Sequence, residues 1–202
     1  MSKEENKALW PDWEALGLES RALSTERLLL TPPTAEDAPA LTRIQNTDFV
    51  LRYNAMELWD EERMRGWIER NAPRQIVLRR REDATPIGLV GLAEDSLRYG
   101  VDSVELNCYL SEDYARQGYM KEALACILDR LFDAGAERVA ARAFAPNIAS
   151  RCLLESLGFR QEGLLRRAVR GYDGVVFDDT LYSVDRTAWS AARDGRQSTE
   201  AD

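Results

Sequence analysis

The feature that most constrains the fold is a repeated change of hydrophobic period in the second half of the chain. Ser103 to Leu110, SVELNCYL, alternates as a strand does, and Gly118 to Gly135 then carries Met120, Ala123, Leu124, Ile127, Leu128 and Leu131 at helical spacing. RVAARAF follows as a strand, NIASRCLLESLG as a helix ended by Gly158, and FRQEGLLRRAVR and VVFDDTLYSVDR as two closing strands. Helices interleaved with strands in this way need a sheet to pack on, and the first half supplies one. RLLLTP reads as a strand stopped by Pro32 and Pro33, and Thr34 opens a helix. Trp59 to Asn71 is a second, short helix, and RQIVLRRRE and TPIGLVGLAED form a hairpin across the charged turn at Glu82 and Asp83. The expected class is α/β (α+β), a mostly antiparallel mixed central sheet flanked by about four helices. One domain is expected over residues 25–190, preceded by an N-terminal extension, 1–24, that carries Trp10 and Trp13 and packs on it. Residues 191–202 read as a polar, frayed tail.

Composition narrows the chemistry. The 202 residues suffice for one domain with a full core, and 45% hydrophobic with 31% charged content is that of a soluble globular chain. No apolar run approaches a membrane span and the first residues are too charged for a secretory signal, so a cytoplasmic protein with no membrane partner is expected. A formal charge of -8 disfavours binding to phosphate backbones, so no nucleic-acid partner is expected, and it suits cationic substrates.

The chain has no histidine, which removes Ser-His-Asp and Cys-His nucleophilic catalysis and the HExxH metal site together. Cys108, Cys126 and Cys152 are widely spaced, form no CxxC pair and read as core thiols; no metal site is expected. Chemistry must then run on carboxylates, hydroxyls, backbone amides and a bound cofactor.

One stretch offers such a cofactor a seat. In SEDYARQGYMKEAL a glycine turn, Gly118, runs straight into the long helix. The first turn of a helix leaves four amides without partners, and with the helix dipole these form a receptor for phosphate oxygens. Gly118 allows a ligand to approach where a side chain would block it. Downstream, in NIASRCLLESLGFRQEG, Asn147 caps a helix, Gly158 ends it, and the next strand carries Glu162 and Gly163.

With both stretches in place, the chain from about Arg27 to Trp189 resembles the GNAT superfamily of acetyl-CoA-dependent N-acetyltransferases, in its ribosomal-protein N-terminal acetyltransferase (RimJ/RimL-like) branch. TERLLLTPPTAEDA is similar to that branch's opening strand and helix, YARQGYMKEAL to its pyrophosphate loop, NIASRCLLESLGFRQEGLLR to its Asn-x-x-Ser helix and Gly-Phe and Glu-Gly signature, and FDDTLYS to its last strand. The sequence departs from the superfamily at several points. The loop's three anchors fall on Ala115, Gly118 and Met120, so only the central glycine is kept. Leu154 stands where many members carry a tyrosine acid, and Val169 where the branch carries a carboxylate.

The resemblance implies direct attack of a primary amine on the thioester of acetyl-CoA, with acetyl-CoA as cosubstrate and an amine acceptor as the other partner. It implies cofactor contacts from Tyr109, Leu110, Arg116, Gln117, Gly118, Tyr119, Met120, Lys121 and Asn147. Asn147 would hold the pantetheine arm or fix the helix start, and Ser150 would assist the departing thiolate. Glu105 is the candidate base; Asp178 and Asp179 are the reserve, as base or as anchors for a substrate ammonium, and a water chain is the remaining route. Tyr53, Trp59 and Trp67 fall on the first helical pair, which walls the acceptor cleft in this superfamily, and each is either a face for a cation or core. The mechanism would be sequential, because the cysteines have no histidine to activate them. An α-amine, roughly a tenth deprotonated at neutral pH, suits an uncertain base better than a lysine, less than about a thousandth free. The acceptor is therefore expected to be a protein or peptide α-amine. The alternatives are a small amine such as an antibiotic, polyamine or amino acid, or no turnover at all in an acyl-CoA-binding module. A late edge strand allows a homodimer.

Overall fold

A computed structural model describes residues 23–199, with the side chains of residues 194–199 outside that description. Eight strands form one sheet in the order β1-β2-β3-β4-β5-β6-β8-β7. They are β1 (Leu23–Ser24), β2 (Leu28–Thr31), β3 (Gln75–Arg80), β4 (Pro86–Glu94), β5 (Ser103–Leu110), β6 (Arg138–Phe144), β7 (Arg160–Arg170) and β8 (Val176–Asp185). Every neighbouring pair is antiparallel except β5 and β6.

Six α-helices appear among the described residues: α1 (Ala38–Gln45), α2 (Asp48–Leu51), α3 (Glu61–Asn71), α4 (Tyr119–Asp133), α5 (Ile148–Ser156) and α6 (Arg186–Thr199). Their starts follow from local chemistry. Thr34 opens a single 3-10 turn ahead of α1, and its amide donates to Asp37 Oδ2 at 2.7 Å. Asp60 caps α3 by accepting the Arg63 amide at 2.7 Å, and Asn147 caps α5 by accepting the Ser150 amide at 3.1 Å.

Strand alternation divides the apolar residues between the two faces of the sheet. Ile76, Leu78, Val90, Val104 and Leu106 pack with the apolar stripe of α4, with Leu154 of α5 and with Trp189 of α6. Val77, Leu89 and Tyr109 face the other way, under Leu41 of α1 and Met64 and Ile68 of α3. Full burial of one such aliphatic side chain contributes about 1.5–3 kcal/mol, so the α4 stripe alone is a major part of the fold's stability.

Four expectations require correction: the number of helices, the frayed tail, Cys152 as a core thiol, and the end of the N-terminal extension. Four helices become six because α2 is a single turn capped by Thr47, too short to show a period, and because the supposed frayed tail is helical through Thr199. Buried Trp189 anchors that last helix, with its indole Nε1 donating to Asp129 at 2.8 Å, while Arg193 pairs with Asp129 at 3.2 Å. Cys152 is exposed on α5 and is not a core thiol; Cys108 and Cys126 are half-buried. Residues 1–22, with Trp10 and Trp13, lie outside the described residues, as do residues 200–202. Leu23 and Ser24, assigned to the extension, pair with Leu30 and Leu29 of β2. Among the described residues no helix is long and apolar enough to cross a membrane.

The topology makes one opening. β5 pairs with β4 as far as Leu110, but with β6 only from Ser103 to Leu106, opposite Arg138 to Ala141. Past Leu106 the two parallel strands part, and α4 and α5 both start beyond their C-terminal ends, where ligands of sheets with parallel pairs ordinarily bind.

Candidate active site

On one side of the opening lies the turn between β5 and α4. After a 3-10 turn at Glu112–Tyr114, Arg116 takes φ +59° and Gly118 φ +83°. Gly118 is the N-cap of α4, and a left-handed cap there exposes the first amides of the helix to the opening. A Cβ on Gly118 would meet only one atom closely, Arg27 Nη2 at 3.3 Å, so the approach to those amides is clear of backbone. Arg116, Gln117 and Lys121 are exposed around it. This arrangement of a bare cap, outward amides and nearby cations fits the pyrophosphate of acetyl-CoA.

Other residues expected at the cofactor take different positions. Met120 is buried against the α4 core, so the third loop anchor is a packing position, which explains why it need not be glycine or alanine. Tyr119 lies beneath the Arg27 guanidinium, 4.3 Å from its ring centroid, and edge-on to Tyr114. The Tyr109 side chain points away from the loop into the cluster under α1 and α3; burial raises its hydroxyl pKa, and that hydroxyl has no hydrogen-bond partner among the described residues. Tyr109 and Leu110 therefore offer the opening their backbone, on the edge of β5 that β6 has left. Ser150 is half-buried in the first turn of α5, and Leu154 is in the core.

The opposite side of the opening is made of side chains on the α1 and α3 face of the sheet. Glu105 lies between two alanines, Ala93 of β4 and Ala140 of β6, which leave room around its carboxylate. Burial raises its pKa; Arg142 opposes that shift, and Asp95 and Asp179 add to it. Arg142, on the same face of β6 as Ala140, holds Asp179 of β8 through Nε at 2.6 Å and Nη2 at 2.5 Å, both to Oδ2. Asp179 is buried, and its Oδ1 has no hydrogen-bond partner among the described residues.

Phe144 stands directly opposite Asp179 in the β6–β8 register. It packs 5.4 Å from Phe177, and Tyr53 sits edge-on to both, at 6.4 and 6.3 Å. Tyr53 belongs to the loop after α2 rather than to a helix. The result is a buried carboxylate with one oxygen unmatched, walled by three rings and near a second carboxylate whose pKa is raised.

Trp59 and Asp178 are not part of this group. Trp59 packs edge-on against Trp67, carries Arg63 over its face, and is tied through its backbone to the Asn46 carboxamide. Asp178 braces a bulge in β7, its Oδ1 accepting the amide of Arg167 at 2.7 Å, where φ is +47°. Val169, also on β7, lies opposite Phe177.

Sequence reading missed Arg142, Phe144 and Phe177. A signal existed in RVAARAF, where an arginine interrupts an apolar strand at the position that shares a face with Phe144. No sequence feature matched that arginine to the second of the two aspartates in FDD.

Comparison with known proteins bears on this site. A family model described as an acetyltransferase (GNAT) domain matches residues 27–160, more than half of the chain. The chain belongs to the GNAT acetyltransferase family. This GNAT domain is 28% identical over 181 residues to YoaA of Bacillus subtilis (strain 168), an uncharacterized N-acetyltransferase, across 80% of this chain and 95% of that one. Among solved structures it shares its fold with a GNAT-family acetyltransferase from Bacillus anthracis at a TM-score of 0.73 and 20% identity, covering 82% of this chain and 98% of that one. It also shares it with Mycobacterium smegmatis RimJ in complex with CoA-disulfide, at 0.68 and 24%, covering 79% and 82%.

The chain is thus an N-acetyltransferase-family enzyme with the expected mixed sheet. The GNAT fold implies acetyl-CoA as its cosubstrate, and the α4 cap has the features such a ligand needs.

Proposed function

We propose that this GNAT domain transfers acetyl from acetyl-CoA to the α-amine of a protein or peptide, as a member of the RimJ/RimL-like branch. The observation that carries the reading is the pairing of Glu105, half-buried with a raised pKa, with the unmatched Oδ1 of Asp179 at the parting of β5 and β6. RimJ among the structural neighbours supports the branch.

In this reading the amine nitrogen attacks the thioester carbonyl carbon, the carbon–sulfur bond breaks, and CoA leaves as a thiolate that takes up a proton. Asp179 Oδ1 accepts a hydrogen bond from the incoming amine, and the rings of Tyr53, Phe144 and Phe177 exclude water around it. Glu105 takes the amine's proton. Burial makes its carboxylate a stronger base than an exposed one, and the Arg142 guanidinium opposes that shift. The exposed first turn of α4, from Gly118, holds the pyrophosphate, with Arg116, Gln117 and Lys121 around it. Asn147 uses Oδ1 for its cap, which leaves Nδ2 to donate to the pantetheine arm, and Ser150 stands by for the thiolate.

Attack is direct. Burial pushes the Cys108 thiol up to about 11 and also raises Cys126, so neither is a thiolate at neutral pH. Cys152 is exposed on α5, and the chain has no histidine to activate it.

The test is release of free thiol from acetyl-CoA with three sets of acceptors: peptides with free N-termini, the same peptides blocked at the N-terminus with an internal lysine, and small amines. Turnover confined to free N-termini is expected. Turnover only with small amines would move the acceptor to the small-molecule class. Micromolar binding of acetyl-CoA by calorimetry with no turnover on any amine would leave an acyl-CoA-binding module.

A further inference from the structure

Arg27, just before β2, reaches the cofactor loop from 90 residues away in sequence. Its Nε donates to Glu122 Oε2 at 2.6 Å, its backbone amide to Glu122 Oε1 at 2.8 Å, and its Nη1 to the Gln117 carbonyl at 2.9 Å. The Thr25 hydroxyl also donates to Glu122 Oε1, and the guanidinium stacks on Tyr119. One side chain thus touches Gln117 and Tyr119, on either side of Gly118, and its remaining nitrogen, Nη2, is the atom nearest to where a Gly118 Cβ would stand.

Glu122 explains why such a contact is needed. An acid in the first turn of a helix stabilises the helix, but here it sits beside the amides that would meet a polyanion. Burial alone would raise its pKa, yet hydrogen bonds from Thr25 and Arg27 outweigh burial and hold it below the ordinary carboxylate range. Left unpaired, that fixed negative charge would oppose the pyrophosphate. The Gln117 carbonyl, if it turned toward the opening, would oppose it too.

Resting on the reading that the first turn of α4 receives the pyrophosphate, we propose that Arg27 is a positioning residue of the cofactor loop, which balances the charge of Glu122 and holds the Gln117 carbonyl back from the ligand. Acetyl-CoA affinity then depends on the anchoring of the strand that precedes the first helix, although no residue of that strand lies in the loop. Helix stability alone does not require this arrangement, since Glu122 is favourable at that position without a partner.

The experiment is a double-mutant cycle with calorimetric titration of acetyl-CoA, steady-state kinetics and thermal melts on wild type, Arg27→Gln, Glu122→Gln and the double variant. Arg27→Gln is expected to raise Kd and KM for acetyl-CoA about tenfold or more, with amine KM and kcat within about twofold. The double variant is expected to recover most of that loss, because the unbalanced charge is gone. Arg27→Lys, which keeps the charge but not the fork, is expected to fall between them and serves if Arg27→Gln does not fold. Unchanged acetyl-CoA affinity in Arg27→Gln, or a double variant as weak as the single one, would overturn the proposal. Failure of the underlying loop reading looks different: Gly118→Val would then leave acetyl-CoA affinity intact.

Discussion

The proposed cofactor loop runs through one unbroken stretch, Ser111 to Glu122, and offers backbone amides, whereas the proposed acceptor cleft is assembled from side chains of β5, β6, β8 and the loop after α2. The loop needs one conformation, fixed by two positive φ angles and by Arg27. The cleft needs a charge arrangement across three strands, in which Arg142 holds Asp179 and lowers the pKa of Glu105 while burial raises it. Backbone binding suits a cosubstrate shared by a whole family, because it tolerates sequence change as long as the shape survives. Side-chain recognition is where acceptor identity is set, and it varies freely on the same scaffold.

The sharpest way to break this contrast is at Glu105. Glu105→Gln is expected to lower kcat/KM for the amine by about 100-fold or more while leaving acetyl-CoA affinity unchanged, since a positioned general base is worth that much. Wild-type kcat/KM should rise with pH through an inflection above the ordinary glutamate value, because burial raises the carboxyl and only its ionised form accepts a proton. The same shift has a stability consequence. A carboxyl whose folded pKa is raised favours folding below its unfolded pKa and loses that contribution as pH climbs through the folded pKa. At neutral pH Glu105→Gln should therefore melt no lower than wild type, and an equal loss of stability and rate would make Glu105 a structural residue.

Gly118→Val tests the other side and should divide its effects in the reverse sense. Acetyl-CoA affinity is expected to fall about tenfold to 100-fold, because the new side chain stands over the amides and pushes on Arg27 Nη2 at 3.3 Å. A left-handed β-branched residue costs about 1–2 kcal/mol of stability, so the melt should drop by only a few degrees. Loss of stability in proportion to affinity would return Gly118 to an ordinary turn.

How well each side could be read in the sequence follows the same division. The strand and helix order, Gly118 as the cap and Asn147 as a cap were legible because each is set within a few residues, by period or by turn chemistry. Asp179 was legible only as one of two adjacent acids. What separates it from Asp178 is which face of β8 each occupies and what stands on the neighbouring strand, Arg142 for one and the β7 bulge for the other. The same limit applies to Tyr53 and Trp59, both aromatic and near the first helices, of which only Tyr53 reaches the ring cluster over β6 and β8. Helix α6 escaped because its sequence is polar and its anchor is a single tryptophan paired to Asp129 on α4.

Tyr53→Ala sharpens the assignment of the rings. Amine KM is expected to rise severalfold to about tenfold, with kcat nearly kept and acetyl-CoA KM unchanged, since a ring beside a cation contributes about 0.5–2 kcal/mol. Trp59→Ala, by contrast, should lower the melt while leaving amine KM within about twofold, because its ring packs on Trp67 and Arg63.

The smallest effect concerns Asn147, which stands on the border between the two kinds of site. Its Oδ1 caps α5, and losing such a cap costs about 1 kcal/mol. Asn147→Ala removes the cap and the Nδ2 donor together, whereas Asn147→Ser keeps a capping oxygen and removes the carboxamide donor without adding a charge. If Asn147 merely fixes the helix start, Asn147→Ala should melt a few degrees lower, Asn147→Ser should melt like wild type, and both should bind acetyl-CoA normally. If Nδ2 also holds the pantetheine arm, Asn147→Ser should keep its stability yet bind acetyl-CoA severalfold more weakly. That second result would show a side chain joining the backbone loop in holding the cosubstrate, and the division between the two sides of the cleft would then run through α5 rather than between it and α4.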